Sequence, residues 1–127
     1  MSAPPLDQAE LAVLGRCVED YCGATELLWT LQRLTPGLAN RAVLVRREMT
    51  ILERLLTAQL VTAYVKSSDP AVPYVPAERE IDALLVVVER EHLVNPDAPP
   101  EHTFWFAATP EGVAHYFDEQ RRVGTRP

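Results

Sequence analysis

The sequence has few glycines and lacks the long apolar runs of a membrane protein. No run approaches the roughly 20 apolar residues that a helix needs to cross a bilayer. The five glycines are dispersed, which excludes a glycine-rich loop for phosphate binding. The opening residues, MSAPPLDQAE, lack the basic and apolar regions of a signal peptide. Together these absences predict a cytoplasmic protein that does not associate with a membrane.

Residues that commonly carry chemistry are also scarce. Cys17 and Cys22 are the only cysteines, and we expect both to be free thiols in a reducing compartment. The three histidines share no metal-ligand spacing with these cysteines; they are His92, His102 and His115. They are interpreted as ordinary surface or packing residues. Because no catalytic constellation is visible, the sequence predicts a protein that is not an enzyme and that holds no cofactor or metal.

The composition is that of one soluble globular domain covering residues 1–127. The chain is 47% hydrophobic and 24% charged, and it is long enough to bury a core. The formal net charge of −6 argues against nucleic-acid binding over the whole surface. A local basic patch remains compatible with that charge.

A long amphipathic helix at 40–58, followed by a strand at 60–66, organises the rest of the chain. Helical periodicity places one set of residues on an apolar side: Leu44, Glu48, Leu52, Leu55, Leu56 and Gln59. The opposite, polar side holds Arg46, Arg47, Thr50, Glu53, Arg54 and Thr57. The apolar side requires a core to pack on. The polar side is unusually rich in arginine for an acidic protein.

Capping signals predict where the helices begin. The expected N-caps are Asp7, Thr25, Asn40 and Thr109. Glu10 follows the first cap at the spacing of a capping box, after a short N-terminal arm at 1–6. The second helix is expected to be buried through its leucines as far as Leu34. Pro110 at the first helical position predicts a last helix at 110–122.

Residues 67–102 form a long insertion between the strands predicted at 60–66 and 103–108. Two proline-rich loops flank a helix predicted at about 77–93, and the first loop extends from 67 to 76. The apolar face of this helix consists of Ile81, Leu84, Leu85 and Val88. The segment from Glu78 to Glu91 has five acidic residues and two arginines, so it should not lie on a phosphate backbone.

The inserted helix must bury its apolar face, and two arrangements would do so. It can fold over the strands of its own chain and cover Trp105, which points away from its neighbours Phe104 and Phe106 in a strand. It can instead pack against a second copy or another protein. The small core implied by the other helices favours an interface, which would contain Ile81, Leu84, Leu85, Val88 and Trp105.

Two segments resemble the winged helix-turn-helix regulators of the PadR-like and MarR-like type. The segment ILERLLTAQLVTAYV resembles a recognition helix passing into the first wing strand, with Gln59 where glycine is usual. The segment TFWFAATPEG resembles the second wing strand and the next helix start, with Ala108 where leucine is usual. The order of the predicted elements agrees with that class. The class joins its wing strands by a short turn, whereas here 67–102 intervene.

The resemblance implies a mainly α protein with a small β-sheet that binds double-stranded DNA as a homodimer and regulates transcription. Its recognition helix would be 40–58, with DNA contacts through Arg41, Arg46, Arg47, Thr50 and Arg54. The alternative for the polar side of this helix is a solvated surface whose arginines form ion pairs with Glu48 and Glu53. A second functional class is a protein-interaction module, such as an adaptor, inhibitor or antitoxin-like protein, that does not bind DNA.

Overall fold

The computed structural model describes residues 5–35, 37, 40–94 and 103–124. These residues form five helices and four strands, as an α+β protein that is mainly helical, which confirms the predicted class. In chain order the elements are α1 (Gln8–Glu19), β1 (Cys22–Gly23), α2 (Ala24–Leu34), α3 (Arg41–Thr57), β2 (Val61–Lys66), β3 (Tyr74–Pro76), α4 (Ile81–Val94), β4 (Trp105–Ala108) and α5 (Pro110–Gly124). Within the described residues, no helix is long and apolar enough to span a membrane.

Three of the predicted helix caps are present. The backbone N–H of Glu10 donates to Asp7 Oδ1 at 2.8 Å, and the Asp7 N–H donates to Glu10 Oε1 at 2.9 Å, which completes the capping box at α1. Asn40 Oδ1 accepts from two backbone N–H groups in the first turn of α3. Thr109 Oγ1 accepts from the Gly112 N–H at 2.9 Å at the start of α5. Each cap satisfies N–H groups that have no partner inside the helix.

The predicted cap at Thr25 is wrong. The helix α2 begins earlier, at Ala24, with Gly23 as its N-cap residue and no side-chain cap. Gly23 also pairs with Trp105 in the sheet, so the chain passes from β1 directly into the helix. This tertiary pairing decides the start of α2, and Thr25 lies buried within the first turn. At the other end of α2, Leu34 is exposed rather than in the core, because it lies in the last turn.

The four strands form one antiparallel sheet in the order β1-β4-β2-β3. The strands on either side of the insertion, β2 and β4, pair directly, with Val61 opposite Ala108 and Tyr64 opposite Trp105. The sequence predicts a loop where β3 lies, because prolines flank and end this segment. The strand pairs with the free edge of β2, where a strand tolerates proline.

The hydrophobic core lies between the sheet and the first three helices, and the inner residues of α4 extend it. Phe104 and Phe106 are buried, in agreement with the alternation in the sequence. Leu52 and Leu55 are fully buried on the inner side of α3. Burying one such side chain contributes roughly 1.5–3 kcal/mol to the free energy of folding. This core fixes the orientation of α3, so its opposite side faces outward.

The inserted helix begins later than predicted, at Ile81 rather than near residue 77, because the Ala77 N–H donates to Ala63 O and continues the pairing along β2. α4 packs along α3. Leu84, Leu85 and Val88 are buried within the single chain, but against α3 and not over the strands as the intramolecular alternative supposed.

Trp105 is not covered by the inserted helix in the predicted way. The ring of Tyr74 makes an edge contact with its indole at 5.8 Å between centroids. The ammonium of Lys66 lies 4.9 Å from the centre of the Trp105 ring. Trp105 therefore belongs to an aromatic cluster on β2, β3 and β4, whereas the apolar face of α4 packs on α3.

The turn from α3 into β2 requires a left-handed residue. Gln59 has φ 61°, and the N–H of Leu60 donates to Leu55 O at 3.0 Å to close the helix end. Gln59 is therefore outside the helix and exposed, not on its apolar side as predicted. Gly112 packs so closely here that a Cβ would lie 1.9 Å from Leu60 O. The glycine allows α5 to begin directly beside the start of β2.

Candidate functional site

The outer side of α3 presents two adjacent arginines to solvent. Arg46 and Arg47 are exposed, and among the described residues neither guanidinium is within ion-pair distance of a carboxylate. Thr50, one turn further on, is also exposed, and its hydroxyl donates to Arg46 O at 3.1 Å. These three predicted site residues lie together on the N-terminal two-thirds of the helix. Two unpaired guanidinium groups can bind phosphate or the edge of guanine.

Arg54 lies on the same helix but is already occupied. Its Nη1 donates to Glu10 Oε2 at 2.8 Å, and its Nη2 donates to the carbonyl oxygen of Pro5 at 2.8 Å. Glu10 belongs to α1 and is itself buried. Arg54 therefore joins α3 to the N-terminal part of the chain, and it is a weaker candidate for binding a ligand than Arg46 or Arg47.

Arg41, at the first position of α3, is half-buried and faces inward. Its charge favours the ionised form of Glu48, which lies two turns further along the same helix. The Nε of Arg41 is buried and has no hydrogen-bond partner among the described residues. Part of this guanidinium therefore acts inside the protein, unlike those of Arg46 and Arg47.

The C-terminal half of α3 is bordered by acidic residues. Glu53 of α3, together with Asp82 and Glu89 of α4, surrounds a cavity of about 270 Å³ between the two helices. Apolar side chains form the rest of its lining: Met49, Leu85 and Val86. Within the described part of the chain, none of the three carboxylates has a cationic partner. This half of the helix therefore repels phosphate, whereas the half with Arg46 and Arg47 attracts it.

A buried pair of titratable residues joins α3 to α4. His92 Nε2 lies 3.1 Å from Glu48 Oε1, and the side chains are 1% and 0% exposed. Burial raises the pKa of Glu48 above its ordinary value, although His92 and then Arg41 act in the opposite direction. In the described residues, none of the four polar side-chain atoms of this pair makes a hydrogen bond of good geometry, so the 3.1 Å contact is an ion-pair distance. With one proton on either group, the pair carries no net charge.

The sequence alone does not predict this pair. Helical periodicity places Glu48 on the apolar side of α3, and Glu48 is also considered there as an ion-pair partner for the surface arginines, whereas His92 is interpreted as an ordinary residue. The signal for this pair in the sequence is the position of each residue along its helix. His92 continues the apolar stripe of α4 one turn beyond Val88, and Glu48 interrupts the apolar stripe of α3. A polar residue in each of two apolar stripes is the pattern expected when two buried polar groups lie against each other.

The two thiols have no role in this site. Cys17 and Cys22 are free and buried, as expected for free thiols. Burial, and then the neighbouring Glu26, raises the pKa of Cys22 to about 12, and burial raises the pKa of Cys17 even further. Both remain protonated near neutral pH, which suppresses nucleophilic reactivity. No cluster of three potential metal ligands occurs among the residues that the structure describes.

A larger cleft of about 440 Å³ lies beside the starts of α4 and α5. Its lining is mixed, and the cation of Arg79 is accompanied by the carboxylate of Glu111. Ile81 and Leu84 contribute to its wall. None of the predicted DNA-contact residues lines this cleft, so it is separate from the outer face of α3.

Comparisons with protein-family models, curated proteins and solved structures find no match to this chain. The function is therefore inferred from the residues themselves. The most informative features are the exposed arginines of α3, the acidic border beside them, and the contact between α3 and α4.

Proposed function

We propose that the protein is a DNA-binding transcription regulator of the winged helix-turn-helix type, and that it contacts DNA with the N-terminal half of α3. The observation that carries this proposal is the pair Arg46 and Arg47, which are adjacent, exposed and without an acidic partner among the described residues. In helix-turn-helix proteins the N-terminal residues of the second helix contact base edges in the major groove.

The element order supports this assignment. Helix α2 is followed at short distance by α3, and α3 leads into an antiparallel pair of strands, β2 and β4, that would form the wing. The helix α5 begins soon after β4, the second of these strands. This arrangement agrees with the resemblance noted in the sequence, although α4 replaces the usual short turn between the wing strands.

The acidic border restricts how DNA would approach. Glu53, Asp82 and Glu89 would face the phosphate backbone if the whole length of α3 lay in the groove. Entry by the N-terminal half avoids that repulsion and brings Arg46 and Arg47 to the DNA. In this orientation, Thr50 lies at the limit of the contact, and Arg54 remains bound to Glu10. Arg41 would contribute through the charge near the start of the helix.

The regulator is proposed to act as a homodimer. Two-fold symmetric dimers match palindromic sites, because each subunit reads one half-site with its own recognition helix. The apolar face of α4 is buried in the chain, so the dimer contact would use surfaces other than Leu84, Leu85 and Val88.

The decisive experiment selects DNA duplexes from a random library on the immobilised protein at low salt. We expect enrichment of one sequence, with binding then measured by fluorescence anisotropy over a range of salt concentrations. The double variant Arg46→Glu and Arg47→Glu should weaken binding strongly. It should also flatten the dependence of log Kd on log salt by ~0.9 for each phosphate group that the variant protein no longer neutralises.

The matched control carries the same change of charge on other helices. Arg90→Glu with Arg121→Glu alters two exposed arginines of α4 and α5 and should leave most of the binding intact. Equal decreases in affinity for the two double variants would indicate that only the net charge matters. If the unmutated protein enriches no sequence at low salt, the regulator proposal fails.

A protein-interaction module is the second candidate, and one observation favours it. Arg54, one of the expected DNA contacts, already donates hydrogen bonds to Glu10 and Pro5 of the same chain. With an acidic surface beside it, α3 could present a mixed-charge face to another protein. The two candidates separate in the selection experiment, because only the regulator enriches a DNA sequence.

A further inference from the structure

We propose that Glu48 and His92 form a one-proton latch that holds α4 against α3, and that loss of this proton loosens α4. The inference goes beyond DNA binding and stands whether or not α3 contacts DNA. It depends on the buried contact of 3.1 Å between the two side chains and on their position at the last turn of the inserted helix.

Apolar side chains at this position would pack α4 on α3 without depending on a proton. The stripe of α4 passes from Leu84 and Leu85 through Val88 to His92, and all four side chains are buried. Glu48 meets His92 from the inner side of α3, where it is fully buried. The apolar residues hold the first part of α4 at every pH, whereas the contact at its last part depends on protonation.

Counting protons gives three states of the pair. With one proton, the pair is either a carboxylate with an imidazolium or a carboxylic acid with an imidazole, and both forms are neutral overall. With no proton, a buried carboxylate faces a neutral imidazole. With two protons, a buried imidazolium faces a neutral acid. Only the one-proton state avoids an uncompensated charge in a dry interface.

The charged and titratable groups around Glu48 determine whether loss of the proton or uptake of a second proton matters. His92 faces it from α4, Arg41 from α3, Cys17 from α1 and Cys22 from β1. Both thiols keep their protons because burial raises their pKa values. The cation of Arg41 opposes uptake of a second proton and only partly offsets the charge left when the single proton dissociates.

The sign of the pH effect follows from the raised pKa of Glu48. Because burial holds this pKa above the ordinary value of 4.5, the docked state retains a proton that a solvated Glu48 would release. For this carboxyl the stabilisation is present up to pH 4.5 and is lost as pH rises through the higher pKa of the docked state. On the acid side, uptake of a second proton by the pair sets the limit of the stabilisation. Alkaline conditions should therefore loosen α4.

Hydrogen–deuterium exchange of the full-length protein, read by mass spectrometry, tests the latch. Protection of residues 81–94, corrected for the intrinsic exchange rate, is measured over a pH series and compared with residues 8–19 of α1. We expect protection of 81–94 to decrease with rising pH by up to about tenfold per pH unit, over the range in which the docked pair still holds a proton that undocked Glu48 has released, as linkage to one proton requires. Protection of 8–19 should change much less.

Glu48→Gln removes the titrating carboxyl and should abolish the decrease in protection of 81–94 as pH rises. The matched control is His115→Gln, which alters a histidine of α5 beside Glu119 and should preserve the pH dependence. If Glu48→Gln does not fold, the double variant Glu48→Leu with His92→Leu replaces both groups by apolar side chains and should likewise lose the alkaline decrease in protection. Parallel behaviour of 81–94 and 8–19 in the unmutated protein overturns the proposal, and so does a folded Glu48→Gln that keeps the full pH dependence.

Discussion

Arg54 of α3 and Glu10 of α1 form an ion pair of 2.8 Å that fixes the outer edge of α3 to the first helix. The Glu10 carboxylate serves two contacts, because Oε2 accepts from Arg54 and Oε1 accepts from the N–H of Asp7 in the capping box. The start of α1 and the position of α3 are thus coupled through one side chain.

Arg54→Ala should lower the free energy of unfolding by ~1–2 kcal/mol, since it leaves the buried Glu10 without its charged partner. The expected loss in the free energy of unfolding is modest because the side chain of Arg54 is 38% exposed and its charge is therefore partly screened. Urea unfolding measures the change. Arg47→Ala, which removes an exposed arginine that has no ion pair within the described part of the chain, should change stability by less than ~0.5 kcal/mol. Equal effects in the two variants would contradict the role of this pair.

Gln59→Gly should stabilise the protein by ~0.5–1 kcal/mol, because glycine adopts a positive φ without the Cβ clash of other residues. The hydrogen bond from Thr109 to Gln59 O uses the backbone and remains available. Ala58→Gly at the preceding residue, where φ is −78°, is the control and should be destabilising. A lower thermal stability of Gln59→Gly would show that the side chain makes a larger contribution than the backbone strain.

Gly112→Ala should destabilise the fold by ~1–3 kcal/mol or more, because the new methyl group would overlap Leu60 O and displace α5 from β2. Gly37→Ala is the control, since a Cβ there would have nothing within 4 Å. Differential scanning calorimetry of both variants gives the comparison. An unchanged midpoint for Gly112→Ala would mean that α5 can shift away from β2 at little cost.

Val88→Asp should lower the free energy of unfolding by more than ~3 kcal/mol, because it places an unpaired carboxylate between α4 and α3. Val86→Asp makes the same substitution two residues earlier, where the side chain is 56% exposed, and should cost much less in spite of the nearby like charges of Asp82 and Glu89. Urea unfolding and the mass in solution are measured together. A folded Val88→Asp protein with an altered oligomeric state would instead assign the face of α4 to an interface between molecules.

Local chemistry was enough to predict most of the helix starts. The capping box at Asp7 and Glu10, the cap at Asn40 and the Thr109 start of α5 depend on residues within one turn of each other. The burial of Phe104 and Phe106 followed from strand alternation. The left-handed turn at Gln59 lies where the resemblance placed a glycine.

Contacts between distant segments decided the remaining features. The start of α2 moved to Ala24 because β1 pairs with β4, and β3 formed because β2 offered it a free edge despite Pro76. Arg54 meets an acid 44 residues away in the chain, so helical spacing around α3 could not reveal its partner.

The sequence alone determined that α3 has an apolar side and an arginine-rich side, because that division follows from a helical period of 3.6 residues. Only the tertiary structure decided which arginines remain available. Docking of α4 against α3 buries Glu48 with His92, and packing of α1 engages Arg54, whereas Arg46 and Arg47 stay in solvent. The physical reason is that ion pairing and desolvation depend on distance in space, which periodicity along one helix does not specify.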